Sequence, residues 1–276
     1  MTGQAAPGRL LAPAPDLDPT LRRSVFISRF MAGYFTWYLS RHLNGLRIAR
    51  WGRPPAQGPA GPIVAYSNHP SWWDAALYAL LGQRLFPGRA SYAPMDAAML
   101  ARYGVLGRIG AFGVDLDSAR GAAAFLRGSA AILSRPDSLM WVAAQGRFTD
   151  ARRRPLGCKP GVARLAEIGP DATFLPMAIE FTFWDERGAE ALIAFGPAMG
   201  AGDLAAMTRP DRLAHLEAAL EATMDRLAAD AQARDPARFE TLIAGTSGVG
   251  GVYDLWRRAR AAAQGRRFDP SHWGRG

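Results

Sequence analysis

The chain carries a histidine followed, after four residues, by an aspartate, in the run Asn68-His69-Pro70-Ser71-Trp72-Trp73-Asp74. The pair stands where an apolar stretch (Ile63, Val64, Ala65, Tyr66) breaks at a turn. A histidine held by a carboxylate is a ready general base, because the carboxylate sets the tautomer and steadies the imidazolium once a proton has moved. The spacing imposes a geometric condition. Positions five apart on a regular helix lie roughly 140° apart around the axis, so the two side chains would not face each other there. They meet if His69 sits in the loop after a strand and Asp74 in the first turns of the next helix. Pro70 suits a turn or helix start, and Ser71 suits a cap. The same pair could also serve as a buried structural contact without chemistry.

The elements needed to position that pair are legible around it. Short apolar runs predict strands at Ile63–Ser67, Ala90–Ala93, Phe112–Val114, Leu139–Ala143, Thr173–Glu180 and Leu192–Phe195. Helices are expected over Ser71–Leu81, Met95–Arg102, Ala119–Ser134, Gly161–Ile168 and about Pro210–Gln232. This alternation argues for an α/β fold with a central mixed, mostly parallel sheet flanked by helices. The expected organisation is a flexible arm over 1–20, an N-terminal membrane-associating amphipathic helix over 21–50, the α/β domain over 51–240, and a basic tail over 241–276.

The N-terminal helix is the least ordinary of these. Leu21 to Arg50 reads as one helix, and Val25–Leu39 is almost wholly apolar and aromatic, interrupted by Arg29 and bracketed by Arg22, Arg23, Arg41 and His42. A spanning helix needs roughly 20 apolar residues, which this run lacks. A helix lying in a membrane interface fits better, with a buried domain helix as the alternative. The tail interleaves Trp256 and Trp273 with Arg257, Arg258, Arg260, Arg266 and Arg267, a pattern suited to an anionic membrane surface or to a solvated helix face.

Composition narrows the classes. The formal charge is +9 in 276 residues, carried almost entirely by arginine, with Lys159 the single lysine. That balance favours anionic partners: a membrane surface or an acidic carrier protein rather than nucleic acid, since no zinc-finger spacing or RNP-type motif is present. One cysteine, Cys158, excludes an intramolecular disulfide and a cysteine-rich zinc site. The remaining histidines, His42, His215 and His272, are scattered, so no metal site is indicated. Residues 1–20 lack the basic and apolar regions of a signal peptide. Cys158 beside Lys159 at a helix start could carry a lowered pKa, and Ser71 could be read as a nucleophile, but it lacks the glycine-flanked elbow of hydrolases.

The run Asn68–Asp74 resembles the N-H-x4-D block of the glycerolipid (lysophospholipid) acyltransferases, and the likeness extends over roughly Pro62 to Glu180. The family's second block, a glycine, a short strand and Asp-Arg, is matched by Gly110 to Asp115, but Leu116 replaces the arginine that would grip an acceptor phosphate; Arg120 is a substitute candidate. The third block, Phe-Pro-Glu-Gly-Thr-Arg-Ser, is matched in plan by Ala143-Ala144-Gln145-Gly146-Arg147-Phe148-Thr149, with Gln145 in the place of the glutamate. A Lys-x-Gly segment opening a helix corresponds to Lys159-Pro160-Gly161, and the fourth block to Phe174-Leu175-Pro176-Met177.

This resemblance implies catalysis by His69 and Asp74, with Asn68, Gln145, Gly146, Arg147, Lys159 and Pro176 as substrate-binding residues. It implies acyl-coenzyme A or an acyl carrier protein as co-substrate, no tightly bound cofactor, a membrane lipid as acceptor, and a peripheral or monotopic place on the cytoplasmic face of a membrane. Acyl transfer to a lysophospholipid such as 1-acylglycerol-3-phosphate is the leading expectation. The missing arginine keeps open the same chemistry on an amino-acid lipid, a glycolipid or a carotenoid glycoside. A non-catalytic lipid-binding protein and slow thioester hydrolysis are the further alternatives.

Overall fold

The computed structural model describes residues 18–55, 58–115 and 118–245, with Arg260 and residues 264–265 beyond them. The elements run α1 (Pro19–Arg22), α2 (Val25–His42), β1 (Leu43–Ala49), β2 (Ile63–Ser67), α3 (Asp74–Leu85), β3 (Ala90–Asp96), α4 (Ala97–Arg102), β4 (Ala111–Val114), α5 (Ala119–Leu133), β5 (Ser138–Ala143), α6 (Gly161–Ile168), β6 (Thr173–Thr182), β7 (Ala189–Phe195), β8 (Met199–Gly200), α7 (Ala201–Ala205), α8 (Arg209–Ala233) and β9 (Phe239–Ala244). Among the described residues the strands form one sheet of order β4-β3-β5-β2-β6-β7-β1-β9, with β8 pairing β6. The pairs from β4 to β6 are parallel, β6–β7 is antiparallel, β7–β1 is parallel and β1–β9 is antiparallel. The expected mixed α/β sheet flanked by helices is therefore present.

Strand β2 lies at the centre because every residue of Ile63–Ser67 is apolar enough, or hydrogen-bonded enough, to be buried. Its alternation feeds two cores. Val64 and Tyr66 face a core shared with Ile132, Leu165, Leu216, Leu220 and Leu227, on the side of α5, α6 and α8. Ile63 and Ala65 face the other, shared with Phe35, Leu39, Leu77 and Leu81 of α2 and α3. The sheet is thus sandwiched between two helical layers, and the carboxyl ends of β2, β5 and β6 open at one rim.

The structure corrects the N-terminal expectation. The helix stops at His42, and Leu43–Ala49 is a fully buried strand instead of a continuation of the helix to Arg50. The partners of β1 are β7 and β9, well over a hundred residues away, so the pairing that overrides helix propensity is invisible locally. Helix α2 is also not amphipathic in the ordinary sense. Ala32, Phe35 and Leu39 pack inward, while Val25, Phe26, Phe30, Tyr34 and Trp37 are exposed, so both faces are apolar. Among the described residues no helix is long and apolar enough to cross a membrane. The expected boundary at 240/241 falls inside β9, which completes the sheet. Residues 1–17 of the expected arm and Trp256, Arg257, Arg258, Arg266, Arg267 and Trp273 of the tail lie outside the described residues. Asp18 caps α1, its Oδ1 accepting from Thr20 N at 2.8 Å, so 18–20 belong to the fold.

A buried ionic network ties the antiparallel edge together. Arg47 on β1 donates to Glu190 on β7 (Nε–Oε2 2.9 Å) and to Thr241 on β9 (Nη1–Oγ1 2.9 Å), while Asn44 Nδ2 also donates to Glu190. Glu190→Ala would strand a buried guanidinium, so the expected loss of stability is about 3–5 kcal/mol, read from denaturant unfolding.

Candidate functional site

Strand β2 ends at Ser67, and the next six residues form a tight loop rather than an immediate helix. Ser67 Oγ donates to Asn68 O (2.7 Å) and so takes Tyr78 O–H as its donor (2.6 Å). The Asn68 side chain prolongs the ladder toward β6, with Nδ2 donating to Ile179 O and Ile179 N donating to Oδ1, both at 2.8 Å. These bonds fix the chain direction where it leaves the sheet. The helix begins at Asp74, three residues later than its expected start, because Ser71 forms the turn: its Oγ accepts from Trp73 N at 3.3 Å.

That start puts Asp74 in the first turn and His69 in the loop, which is the arrangement the spacing required. His69 Nδ1–H donates to Asp74 Oδ2 at 2.7 Å. The aspartate side chain is fully buried, and the imidazole is 22% exposed. Burial pushes the Asp74 carboxyl above its ordinary value, and the hydrogen bond from His69 pulls it back in part. Ser71 N adds a weaker bond to Oδ2 (3.3 Å), whereas Oδ1 has no partner among the described residues. Nε2 of His69 is left without a hydrogen bond among the described residues, facing the rim.

The turn after β5 supports this loop from the opposite side. Gln145, buried, accepts from His69 N with Oε1 (2.9 Å) and donates from Nε2 to Leu156 O (3.0 Å). A glutamate here would be an acceptor only, so the neutral amide serves both ends of this bridge. Thr149 N donates to His69 O at 2.9 Å. Gly146 has φ +62°, a left-handed conformation, and a Cβ there would meet Lys159 Cγ at 3.2 Å. The stem of Lys159 therefore lies over Gly146, and Lys159 N bonds Ala144 O at 2.7 Å. Gln145→Leu is expected to lower stability by about 1–3 kcal/mol, because it strands two buried backbone groups. Thermal melts and amide hydrogen exchange would read it: the loss of stability should come with faster exchange in the loop that holds His69.

The predicted site residues divide accordingly. Asn68, His69, Asp74, Gln145, Gly146 and Lys159 converge at the rim, and Arg147 is exposed beside them. Pro176 does not join them. It is buried opposite Tyr66, three residues below the rim, with its ring near Gly196 on the α8 side, so it serves the core there and lines no part of the His69 site. Asp115 follows the edge strand β4, separated from β2 by β3 and β5, or about 14 Å at ordinary strand spacing. Leu116 lies outside the described residues, and Arg120 is exposed on α5.

In the arginine run, Arg152 is held by Asp150 and Arg154 by Asp225. Burial pushes the Cys158 thiol up to about 12, helped by Glu217 and Glu221, which is the reverse of an activated thiolate. A missed residue is Phe148, exposed, with its ring 4.5 Å from that of His69. Its place two residues after Gly146 was a weak signal for it. Trp73 is another: its ring lies tilted against those of Tyr38 and His42 of α2, centroids 5.5 and 5.8 Å away, joining the helix that carries the exposed aromatics to the residue before Asp74.

Chemically, the rim offers an oriented base and a loop held by buried hydrogen bonds. Of the N–H groups from His69 to Trp73, those of His69, Ser71 and Trp73 are engaged and Pro70 has none, which leaves Trp72 N–H unengaged among the described residues. No family model matches this chain, and a search of the curated proteins finds no match either.

Proposed function

We propose that this chain transfers a fatty acyl group from the thioester of coenzyme A or an acyl carrier protein to the hydroxyl of a lysophospholipid such as 1-acylglycerol-3-phosphate. The observation that carries this reading is the 2.7 Å bond between His69 Nδ1 and the fully buried Asp74, with Nε2 left open at the rim. Nε2 takes the acceptor's hydroxyl proton while the oxygen attacks the thioester carbonyl. The C–O bond forms, the C–S bond breaks, and the departing thiolate recovers the proton from the imidazolium. Trp72 N–H is the candidate donor to the oxyanion of the intermediate. Arg147 and Lys159, exposed beside the base, supply positive charge for phosphate groups of donor or acceptor.

The exposed Phe26, Phe30, Tyr34 and Trp37 on α2, with Arg29 and Arg41 on the same helix, support docking on an anionic membrane surface at the cytoplasmic face, where acceptor lipids reside. A second reading keeps the chemistry and changes the acceptor to an amino-acid lipid, a glycolipid or a carotenoid glycoside. It is favoured by Leu116 in the place of a phosphate-gripping arginine. The test is transfer from labelled acyl-carrier protein and acyl-coenzyme A to a panel of lysolipids and phosphate-free acceptors. Product from a phosphate-bearing lysolipid that disappears in His69→Ala supports the first reading. Product only from phosphate-free acceptors moves the assignment to the second, and no acceptor-dependent product from folded protein sinks both.

A further inference from the structure

A groove of about 350 Å³ runs beside the rim, between the end of β6, the 151–154 loop and α8. Its walls are largely apolar, from Ala178, Leu227 and Ala228. It adjoins the catalytic loop at two points. Glu180 directly follows Ile179, whose N–H and C=O are both bonded by the Asn68 side chain at 2.8 Å. Ala151 comes two residues after Thr149, whose N–H bonds His69 O at 2.9 Å.

The charges lining the groove are unequal. Arg152 is neutralised by Asp150, and Arg154 by Asp225. Glu180 is half-buried and has no hydrogen-bond or ion-pair partner among the described residues. Burial pushes its carboxyl above the ordinary value, and the two arginines lining the same groove, Arg152 and Arg154, are paired with Asp150 and Asp225 instead. A carboxylate beside apolar walls without a donor is costly, and a ligand that supplies a cation removes that cost. A bare phosphate would meet this carboxylate as a like charge.

We propose that this groove seats the cationic head of the acyl acceptor, a primary ammonium paired with Glu180, so that amine-bearing lysolipids are selected. This rests on the acyl-transfer reading of His69 and narrows its acceptor to a lysophospholipid with an amine-bearing head, in place of the bare phosphate of 1-acylglycerol-3-phosphate. The groove volume is at the low end of ordinary small-ligand sites, suited to a headgroup rather than to a whole lipid.

The test uses short-chain lysophosphatidylethanolamine and its N-acetylated counterpart, which lacks the ammonium charge and carries an added acetyl group, so that Glu180→Gln is the control that isolates the charge. Binding is followed by tryptophan fluorescence, and transfer by kcat/KM, in the wild type, Glu180→Gln and Ala228→Phe. The wild type should bind the amine about tenfold or more tightly than the acetylated lipid, a charge-assisted hydrogen bond being the difference. Glu180→Gln should erase the preference with an unchanged melting temperature, and Ala228→Phe, which fills the groove from the opposite wall, should weaken both ligands. No preference in the wild type, a preference that survives in Glu180→Gln, or unaltered binding in Ala228→Phe overturns the inference. A Glu180-dependent preference in binding with no acyl transfer from any donor upholds the cation site and sinks the transferase reading instead.

Discussion

His69→Gln is expected to reduce acyl transfer on the order of 10²–10⁴-fold, the contribution typical of a positioned general base. The reason is local. His69 alone at the rim has a nitrogen with no partner among the described residues and a second nitrogen anchored to a buried carboxylate. The glutamine amide can still donate to Asp74 Oδ2, so the buried carboxylate keeps a partner and the fold should hold. His69→Ala withdraws that donor as well and should lose both activity and some stability. Comparing steady-state rates and thermal melts for the two variants separates the chemical from the structural contribution. If His69→Gln keeps wild-type turnover, the imidazole is not the base and the pair is a structural contact.

Asp74→Asn should have an effect of similar or greater size, on the order of 10⁴-fold, as loss of the orienting carboxylate has in a serine-protease triad. An amide whose N–H faces Nδ1 makes that nitrogen an acceptor and moves the ring proton to Nε2, where it blocks proton abstraction. Stability should move the other way. The folded Asp74 carboxyl is raised by burial, with Oδ1 unpaired among the described residues. A raised folded pKa means that the contribution of this group to stability is fully present below the ordinary carboxylate range and is lost as pH rises through the raised value. At neutral pH the ionised aspartate therefore burdens the fold, and asparagine should melt at an equal or higher temperature. The difference should shrink or reverse at acidic pH. A marked drop in melting temperature at neutral pH together with retained activity would mean that Asp74 is there for packing.

Much of the parallel half of the sheet was legible because its signals are local. Strand β2 matches its expected bounds of Ile63–Ser67, since a short apolar run ending at a polar turn has few other outcomes. Helix α6 matches Gly161–Ile168 because an apolar face recurs at helical spacing after Pro160. Where two elements abut, local reading blurred. Strand β3 runs on through Asp96 into residues expected to begin a helix, because Asp96 caps α4 through its bond from Met99 N at 2.9 Å. Strand β1 could not be read at all, because Leu43–Ala49 is held by β7 and β9 and by the buried Arg47–Glu190 pair, all remote in sequence.

The candidate site shows the same division. The sequence by itself determined which residues are candidates for chemistry: a histidine and an aspartate at a spacing that a loop-to-helix junction brings together, and a Gln-Gly-Arg turn after a second strand. Only the tertiary structure decided that β2 and β5 lie side by side, so that Gln145 bridges His69 N and Leu156 O. It also sent Pro176 into the core, laid Phe148 against the imidazole, and left the Glu180 carboxylate without a partner among the described residues in a groove beside the rim. The physical reason is range. Residue type and short spacing fix what a side chain is able to do and the turn it sits on. Which groups become buried, paired or left without a partner depends on contacts between segments tens to hundreds of residues apart, and those are set by how the sheet closes.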